Sequence, residues 1–274
     1  MGEKSRIDLI KELEIKAKKL RVDALSMIYK AQSGHPGGSF SSIDILIGLY
    51  NYKLKINPKN PKWDKRDRFI MSKGHASPAV YAVLGDLGFF HKKEFNNFRQ
   101  LGGLLQGHVD AKIPGVEMST GSLGQGLSFG NGICFARELD KKNYGVYVLM
   151  GDGEVQEGQV WEAAMTASHY GLNITAILDR NRIQNDGFVK DTMVIEPLKD
   201  KWESFGWHVV EINGHDFNEI LDTLDELEKI KGPKIIIAHT VKGKGVSFME
   251  NNPSFHGKAP NEEEMKIALK ELGE

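Results

Sequence analysis

A chain of 274 residues, 40% hydrophobic and 27% charged, has the composition of an ordinary globular protein and is long enough to bury a sizeable core in one large domain. Its thirty glycines carry no short period, which excludes collagen-like and low-complexity classes. Lys plus Arg (36) nearly balances Asp plus Glu (37), so a net charge of −1 offers no global field to attract nucleic acid or an anionic membrane. The lone Cys134 has no partner for an internal disulfide and sits among Ile133, Phe135 and Ala136, where it reads as buried filler. The charged amino terminus lacks the apolar core of a signal peptide, and no stretch approaches the roughly 20 apolar residues of a membrane span. The expectation is a soluble, cytoplasmic protein.

Ile7, Ile10, Leu13, Ala17, Leu20, Ala24 and Ile28 recur at helical spacing and predict one long amphipathic helix ending before Ser33-Gly34. A second helical pattern follows Ser41, through Ile43, Ile45, Leu46, Leu49 and Tyr50, and stops near Asn57-Pro58. A short strand over 68–71 leads into a glycine-rich turn and a helix. Residues 102–132 hold nine glycines in thirty-one positions, followed by helix over 133–139. Apolar runs at 146–150, 174–178, 209–212 and 235–239 alternate with helical patterns at 158–170 and 217–229, and an acidic final helix falls within 261–274. Short apolar strands separated by amphipathic helices predict a single α/β domain over residues 1–274, a doubly wound, mainly parallel sheet with helices on both faces.

In such sheets ligands bind beyond the carboxyl ends of the strands. The run at 146–150 delivers Asp152 between two glycines, and the next strand, one βαβ unit later, delivers Asn181 at its own carboxyl end. A carboxylate, an amide oxygen and nearby backbone carbonyls are hard ligands suited to Mg²⁺ or Ca²⁺. With so few protein ligands the cation completes its shell from phosphate and water, which points to a cofactor or nucleotide bearing a diphosphate. The bland reading of Asp152 is a turn residue capping local N–H groups.

His35, His75, His108 and His256 each adjoin a glycine between predicted elements. Loop histidines are often simply solvated. Four with this habit form a candidate set for binding polyol hydroxyls or phosphate and for proton transfer. Their spacing is not that of a zinc site. His169 and His208 fall inside predicted elements and read as structural, His91 and His215 as polar loop residues, and His239 as a strand end.

At these residues the chain resembles transketolase, specifically its amino-terminal, diphosphate-binding half. SGHPGGSFS, MSKGHASPAVYAVL, STGSLGQGLS, GDGEVQEGQVWEA, LDRNRIQNDG and HTVKGKGVSFMENNPSFHG are similar to that family's motifs and stand in its order, from Ser33 to Gly257. The resemblance implies a thiamine-diphosphate-binding fold with Mg²⁺, for which Ca²⁺ substitutes. The metal would be held by Asp152, Asn181 and the backbone carbonyl of Ile183. Gly153, Asn181, His75 and His256 would contact the diphosphate, and the turn Gly121-Ser122-Leu123 the aminopyrimidine. His35, His108 and His256 would face the sugar and carry catalysis, while Glu157 and Glu162 resemble acidic residues that link paired sites. Val109 and Ser122 depart from the family, which commonly has proline at the first position and in many members at the second.

The length matches only the first domain of a complete transketolase. The resemblance therefore implies a split enzyme of carbohydrate metabolism, of the pentose phosphate kind. A separate carboxyl-terminal subunit would supply the pyrimidine-binding domain and the activating glutamate. The assembly would be a heterotetramer around a homodimeric core, transferring a two-carbon ketol group between sugar phosphates. The other readings are a half-subunit of a 1-deoxyxylulose-phosphate synthase-like enzyme, a transketolase specialised for a branched sugar phosphate, and an inactive scaffold or nucleotide-binding module. For the last, no GxxxxGK[ST] is present.

Overall fold

Five apolar segments pair side by side, all parallel, in a computed structural model that describes residues 5–274; the first four residues of the charged amino-terminal segment lie outside the described residues. The strands are β1 (Arg68–Met71), β2 (Val146–Gly151), β3 (Thr175–Arg180), β4 (His208–Asn213) and β5 (Lys234–His239), in the order β1-β2-β3-β5-β4. The two-residue period sorts their side chains into two cores. Phe69, Met71, Leu149, Ile177 and Ile236 face a layer built by α1 (Arg6–Ala31), α2 (Pro36–Gly48), α3 (Ser77–Leu87), α8 (Phe217–Glu228) and α9 (Glu262–Leu272). Ile70, Val148, Met150, Ala176, Leu178, Ile235 and Ile237 face the other, under α4 (Gln125–Leu139), α5 (Gly158–His169) and α7 (Leu198–Ser204). A single turn, α6 (Val189–Thr192), completes the helices. Each wholly buried aliphatic or aromatic side chain contributes roughly 1.5–3 kcal/mol, so covering both faces is what holds a parallel sheet. The expected doubly wound α/β class is the observed one.

Several boundaries differ from the sequence reading, each for a physical reason. The stripe of α1 begins at Ile10, since Ile7 is 66% exposed, and Ser5 caps the helix by accepting the N–H of Asp8. The second helix begins at Pro36, five residues ahead of Ser41, with proline in its first turn and His35 at its N-cap. Every residue of α2 is buried, so its glycines are there for close packing: a Cβ on Gly37 would sit 2.9 Å from the Phe255 carbonyl. It widens into a π turn at Leu49–Lys53 and gives way to extended backbone at Leu54. The glycine-rich stretch turns helical at Gln125, because Gly130 lets α4 lie against the sheet where a Cβ would meet Val148 and Ile174 at 2.7 Å. β4 is only partly buried, being an edge strand. Cys134 is buried with its thiol pushed up to about 11 by desolvation, in keeping with a packing role. Among the described residues no helix is long and apolar enough to cross a membrane.

Candidate active site

The carboxyl ends of β1, β2, β3 and β5 release their chains into one region. From β2 comes Asp152, 2% exposed. Its Oδ1 accepts the N–H of Gly153 at 2.8 Å, and its Oδ2 accepts from Arg180 at 3.1 Å and from the N–H of Arg182. Burial, then the nearby Asp179, pushes the Asp152 carboxyl above its ordinary range. From β3 comes Asn181, whose Oδ1 accepts the N–H of Ile183 at 3.1 Å and whose Nδ2 donates to Asp179. The turn after β2 thus meets the turn after β3, with Asp152 accepting the N–H of Arg182, which lies between Asn181 and Ile183. The Ile183 carbonyl accepts Lys242 Nζ at 2.6 Å, so its oxygen already faces a positive charge. Among the described residues no group of three His, Cys, Asp or Glu is arranged for a metal, whereas one carboxylate, one amide and one backbone carbonyl form a hard-oxygen set.

The four glycine-flanked histidines converge. The His35 ring lies 5.1 Å from His75, 5.5 Å from His256 and 6.1 Å from His108, and His75 stacks on His256 at 5.3 Å. They come from the N-cap of α2, the 3₁₀ turn after β1, the loop before α4 and the turn after Pro253–Phe255. Burial, followed by like-charge neighbours, lowers His35 to about 4 and His256 to about 3, and drives His75 well below its ordinary value. His108, the most open of the four, is lowered by burial and Arg99. The cluster is therefore neutral at pH 7, able to donate through one nitrogen and accept through the other. Among the described residues, buried His35 Nδ1 has no hydrogen-bond partner. Val109, where the family commonly has proline, donates its N–H to the Gly74 carbonyl at 3.2 Å, a bond proline could not make, and so fastens the His108 loop to the turn that carries His75.

Three functional side chains escaped the sequence reading. Lys73, 2% exposed, donates to the Gly38 carbonyl and pairs with Asp179, which also accepts from Ser41 and Thr240; this offsets the burial penalty and keeps Asp179 below its ordinary range. Lys242, also 2% exposed, has no carboxylate partner among the described residues; it contacts His256 Nδ1 at 2.7 Å, and burial and Lys73 bring it down to about 8. Glu154, in the turn after Asp152, accepts from Ser72, from the N–H of Gly124 at 2.9 Å and from the N–H of Gly151 at 3.0 Å. It ties the Gly121-Ser122-Leu123 turn to the end of β2. That turn is exposed, and Gly121 stands against His108, where a Cβ would meet its ring at 3.4 Å. All three stand inside the motifs that carry the resemblance, MSKGHAS, GDGEVQ and HTVKGKG, which is the signal that could have found them; periodicity could not, since a buried lysine or glutamate breaks the pattern. Of the other histidines, His215 proves structural: its Nδ1 meets Asp44 at 2.6 Å and its Nε2 accepts the N–H of Val241. His169 is the last residue of α5 and His208 the first of β4, within elements as expected, and both are exposed. A separate cleft of about 630 Å³ lies at the amino ends of the strands, where Lys53 pairs with Glu228 and Lys234 is capped by carbonyls.

An open parallel sheet that presents oxygen donors at adjacent strand ends, with buried cations and neutral imidazoles around them, is the layout of a domain that grips a diphosphate cofactor. The family model "Transketolase, thiamine diphosphate binding domain" matches residues 13–274, and the chain belongs to that family. It is 41% identical over 267 residues to an apulose-4-phosphate transketolase subunit of Phocaeicola vulgatus, covering 97% of this chain and 95% of that one. It is 40% identical over 264 residues to the 6-deoxy-6-sulfo-D-fructose transketolase subunit SqwG of a Clostridium species, covering 95% and 96%. The solved transketolase of Campylobacter jejuni superposes with a TM-score of 0.91 at 38% identity, covering 96% of this chain and 43% of that one. The chain thus spans less than half of that transketolase and nearly all of the two subunit-type relatives.

Proposed function

We propose that this chain is the amino-terminal subunit of a split transketolase, a single domain that joins a separate carboxyl-terminal chain to move a two-carbon ketol group from a ketose phosphate to an aldose phosphate. The convergence of His35, His75, His108 and His256 beside the turns of Asp152, Asn181 and Ile183 carries this reading. The residues fit thiamine diphosphate with Mg²⁺: the donor set is hard oxygen and, among the described residues, the buried cation Lys242 has no carboxylate and His35 Nδ1 no partner. Asp152, Asn181 and the Ile183 carbonyl hold the metal. Gly153, Asn181, His75 and His256 hold the diphosphate, and Gly121-Ser122-Leu123 faces the aminopyrimidine. The cofactor, when bound, supplies the electron sink that stabilises the transferred two-carbon unit. His35, His108 and His256 orient the sugar and move protons to and from its hydroxyls, a task suited to neutral imidazoles.

The names of the two subunit-type relatives point to sugars bearing a terminal phosphate or sulfonate, which supports a ketose with an anionic end as donor. Pentose phosphate metabolism, a cytoplasmic setting and a heterotetramer with a homodimeric core belong to the same proposal. An exposed apolar strip along α4 and α5, with Phe129 (50%), Met165 (53%) and Tyr170 just past α5 (61%) uncovered, supports the core. Glu157 and Glu162 are both exposed, which supports a role for them in linking paired sites. Calorimetric titration of Mg²⁺ and thiamine diphosphate into the chain, with and without its partner, tests the reading; no metal-dependent cofactor binding in either case would overturn it.

A further inference from the structure

At the end of β3 the two-residue period sends Asp179 and Arg180 to opposite faces, Asp179 to Lys73 and Arg180 to the turn after β2. Arg180 is 8% exposed and bridges two carboxylates. Its Nη1 donates to Asp152 Oδ2 at 3.1 Å, and its Nε donates at 3.0 Å to Glu196 Oε1, which also accepts from Nη2. Glu196 is itself fixed. Its Oε2 accepts the N–H of Leu198 at 2.9 Å, at the start of α7, and Leu198 and Trp202 seat that helix in its core. The guanidinium therefore has a footing on α7, outside the turns of Asp152 and Ile183. Counting acceptor positions shows what this does to Asp152. An ionised carboxylate offers about four, two on each oxygen. Among the described residues Oδ2 accepts from Arg180 and from the Arg182 N–H, while Oδ1 accepts only from the Gly153 N–H. Oδ2 is full, and the position left over is on Oδ1.

Mg²⁺ and Ca²⁺ ask different things of such a group. Mg²⁺ is small and requires a near-ideal octahedron, whereas Ca²⁺ takes more oxygens in a looser shell and uses a carboxylate through one oxygen or both. We infer that Arg180, braced by Glu196, is a positioning residue that occupies Asp152 Oδ2, so that the carboxylate meets the cofactor's cation through Oδ1 alone and Mg²⁺ is favoured over Ca²⁺. Without Arg180, Oδ2 regains an open position and the carboxylate is free to turn, which Ca²⁺ exploits and Mg²⁺ does not. A guanidinium suits the task because its planar fork reaches both carboxylates at once, where an ammonium is a single point charge. If the bridge only fastened α7 to the sheet, the relative affinity for the two cations would not depend on it. The inference rests on the thiamine-diphosphate reading and deepens it, assigning the choice of metal to a residue outside the proposed ligand set.

The test measures the Kd of Mg²⁺ and of Ca²⁺ by calorimetry, at saturating thiamine diphosphate, in the complex of this chain with its carboxyl-terminal partner. Removing the Arg180 charge favours both cations alike, so the ratio of the two affinities isolates the positioning. Arg180→Met should lower the Mg²⁺-to-Ca²⁺ affinity ratio roughly tenfold, the scale on which partners that orient a metal ligand act. Arg180→Lys should recover only part of that ratio. Glu196→Gln changes a half-exposed side chain and so keeps the question answerable if Arg180→Met does not fold; it should lower the ratio in the same direction, by roughly threefold. A ratio within about twofold of wild type in every variant that folds would overturn the inference alone. A wild-type complex that binds thiamine diphosphate with neither cation would overturn the proposed function and the inference together.

Discussion

Asp152 combines two duties, closing a turn and presenting an oxygen to a cation, and a substitution separates them. Asp152→Ala removes the acceptor for Gly153, Arg180 and Arg182, all at the mouth of the site, while both cores stay intact. We expect Mg²⁺-dependent affinity for thiamine diphosphate to fall at least roughly a hundredfold, with the far-ultraviolet circular dichroism unchanged. Wild-type calorimetric affinity in that variant would remove Asp152 from the metal site. The histidines give a pH prediction. His35 and His256 titrate near 4 and 3 in the folded chain against 6.5 as their reference value, so below about 6.5 the unfolded chain binds protons that the folded chain refuses. Their contribution is complete above pH 6.5 and is lost on acidification toward 4. The raised carboxyls of Asp152 and Glu154 act with the opposite sign, since there the folded state holds the extra proton. The informative quantity is therefore the difference between variants. His35→Gln combined with His256→Gln should flatten the loss of Tm between pH 6.5 and 5 relative to wild type; an equal slope in both proteins would show that these imidazoles are not buried as described.

At the scale of elements the site is held by buried charges that fasten loops to strand ends. Glu154 links Ser72 after β1, Gly151 at the end of β2 and Gly124 before α4. Glu154→Ala strands the buried N–H of Gly124, at ~1–3 kcal/mol, and the half-buried N–H of Gly151, and frees the 121–123 turn. Urea unfolding should show the loss, and limited proteolysis should open the chain near that turn first; a variant as stable as wild type would mean that water replaces the carboxylate without cost. Lys73→Met leaves Asp179 buried without its ammonium partner, a change that breaks an ion pair at ~3–5 kcal/mol. These links also explain which parts were legible in the sequence. The apolar runs of β2, β3 and β5 announced a covered parallel sheet, and Gly151-Asp152-Gly153 announced its ligand end, because periodicity and strand-end chemistry are local signals. The start of α2 was not legible, since Pro36-Gly37-Gly38 reads as a loop until Phe255 and Lys242 are known to press on it. Lys73, Glu154 and Lys242 were hidden for the same reason: these partners lie 30–106 residues away, at Gly38 and Asp179, at Ser72 and Gly124, and at Ile183.

At the scale of the whole molecule the groups that grip a cofactor lie together at one end of the sheet, with little to cover them. His108, Gly121, Ser122 and Leu123 are exposed, so an aminopyrimidine resting on this turn would have protein on one side only. A wet site weakens both electrostatic stabilisation and control of proton transfer, because water screens the imidazoles and competes for their hydrogen bonds. Covering it takes a second surface, and the chain spans only 43% of the Campylobacter jejuni transketolase on which it superposes. The apolar strip along α4 and α5 supplies the other half of the argument: exposed Phe129, Met165 and Tyr170 favour burial against another copy, in an interface that, if obligate, exceeds about 2,000 Å². We therefore expect the purified chain to show no ketol transfer, to form a dimer by light scattering, and to gain activity only with the carboxyl-terminal chain in a two-plus-two complex. Phe129→Asp with Met165→Asp should break the dimer and, with it, the activity of the mixed complex, while leaving each core untouched. Conversion of ketose and aldose phosphates by the chain alone would refute the split, and a fully active one-to-one complex of that double variant would refute the dimeric core.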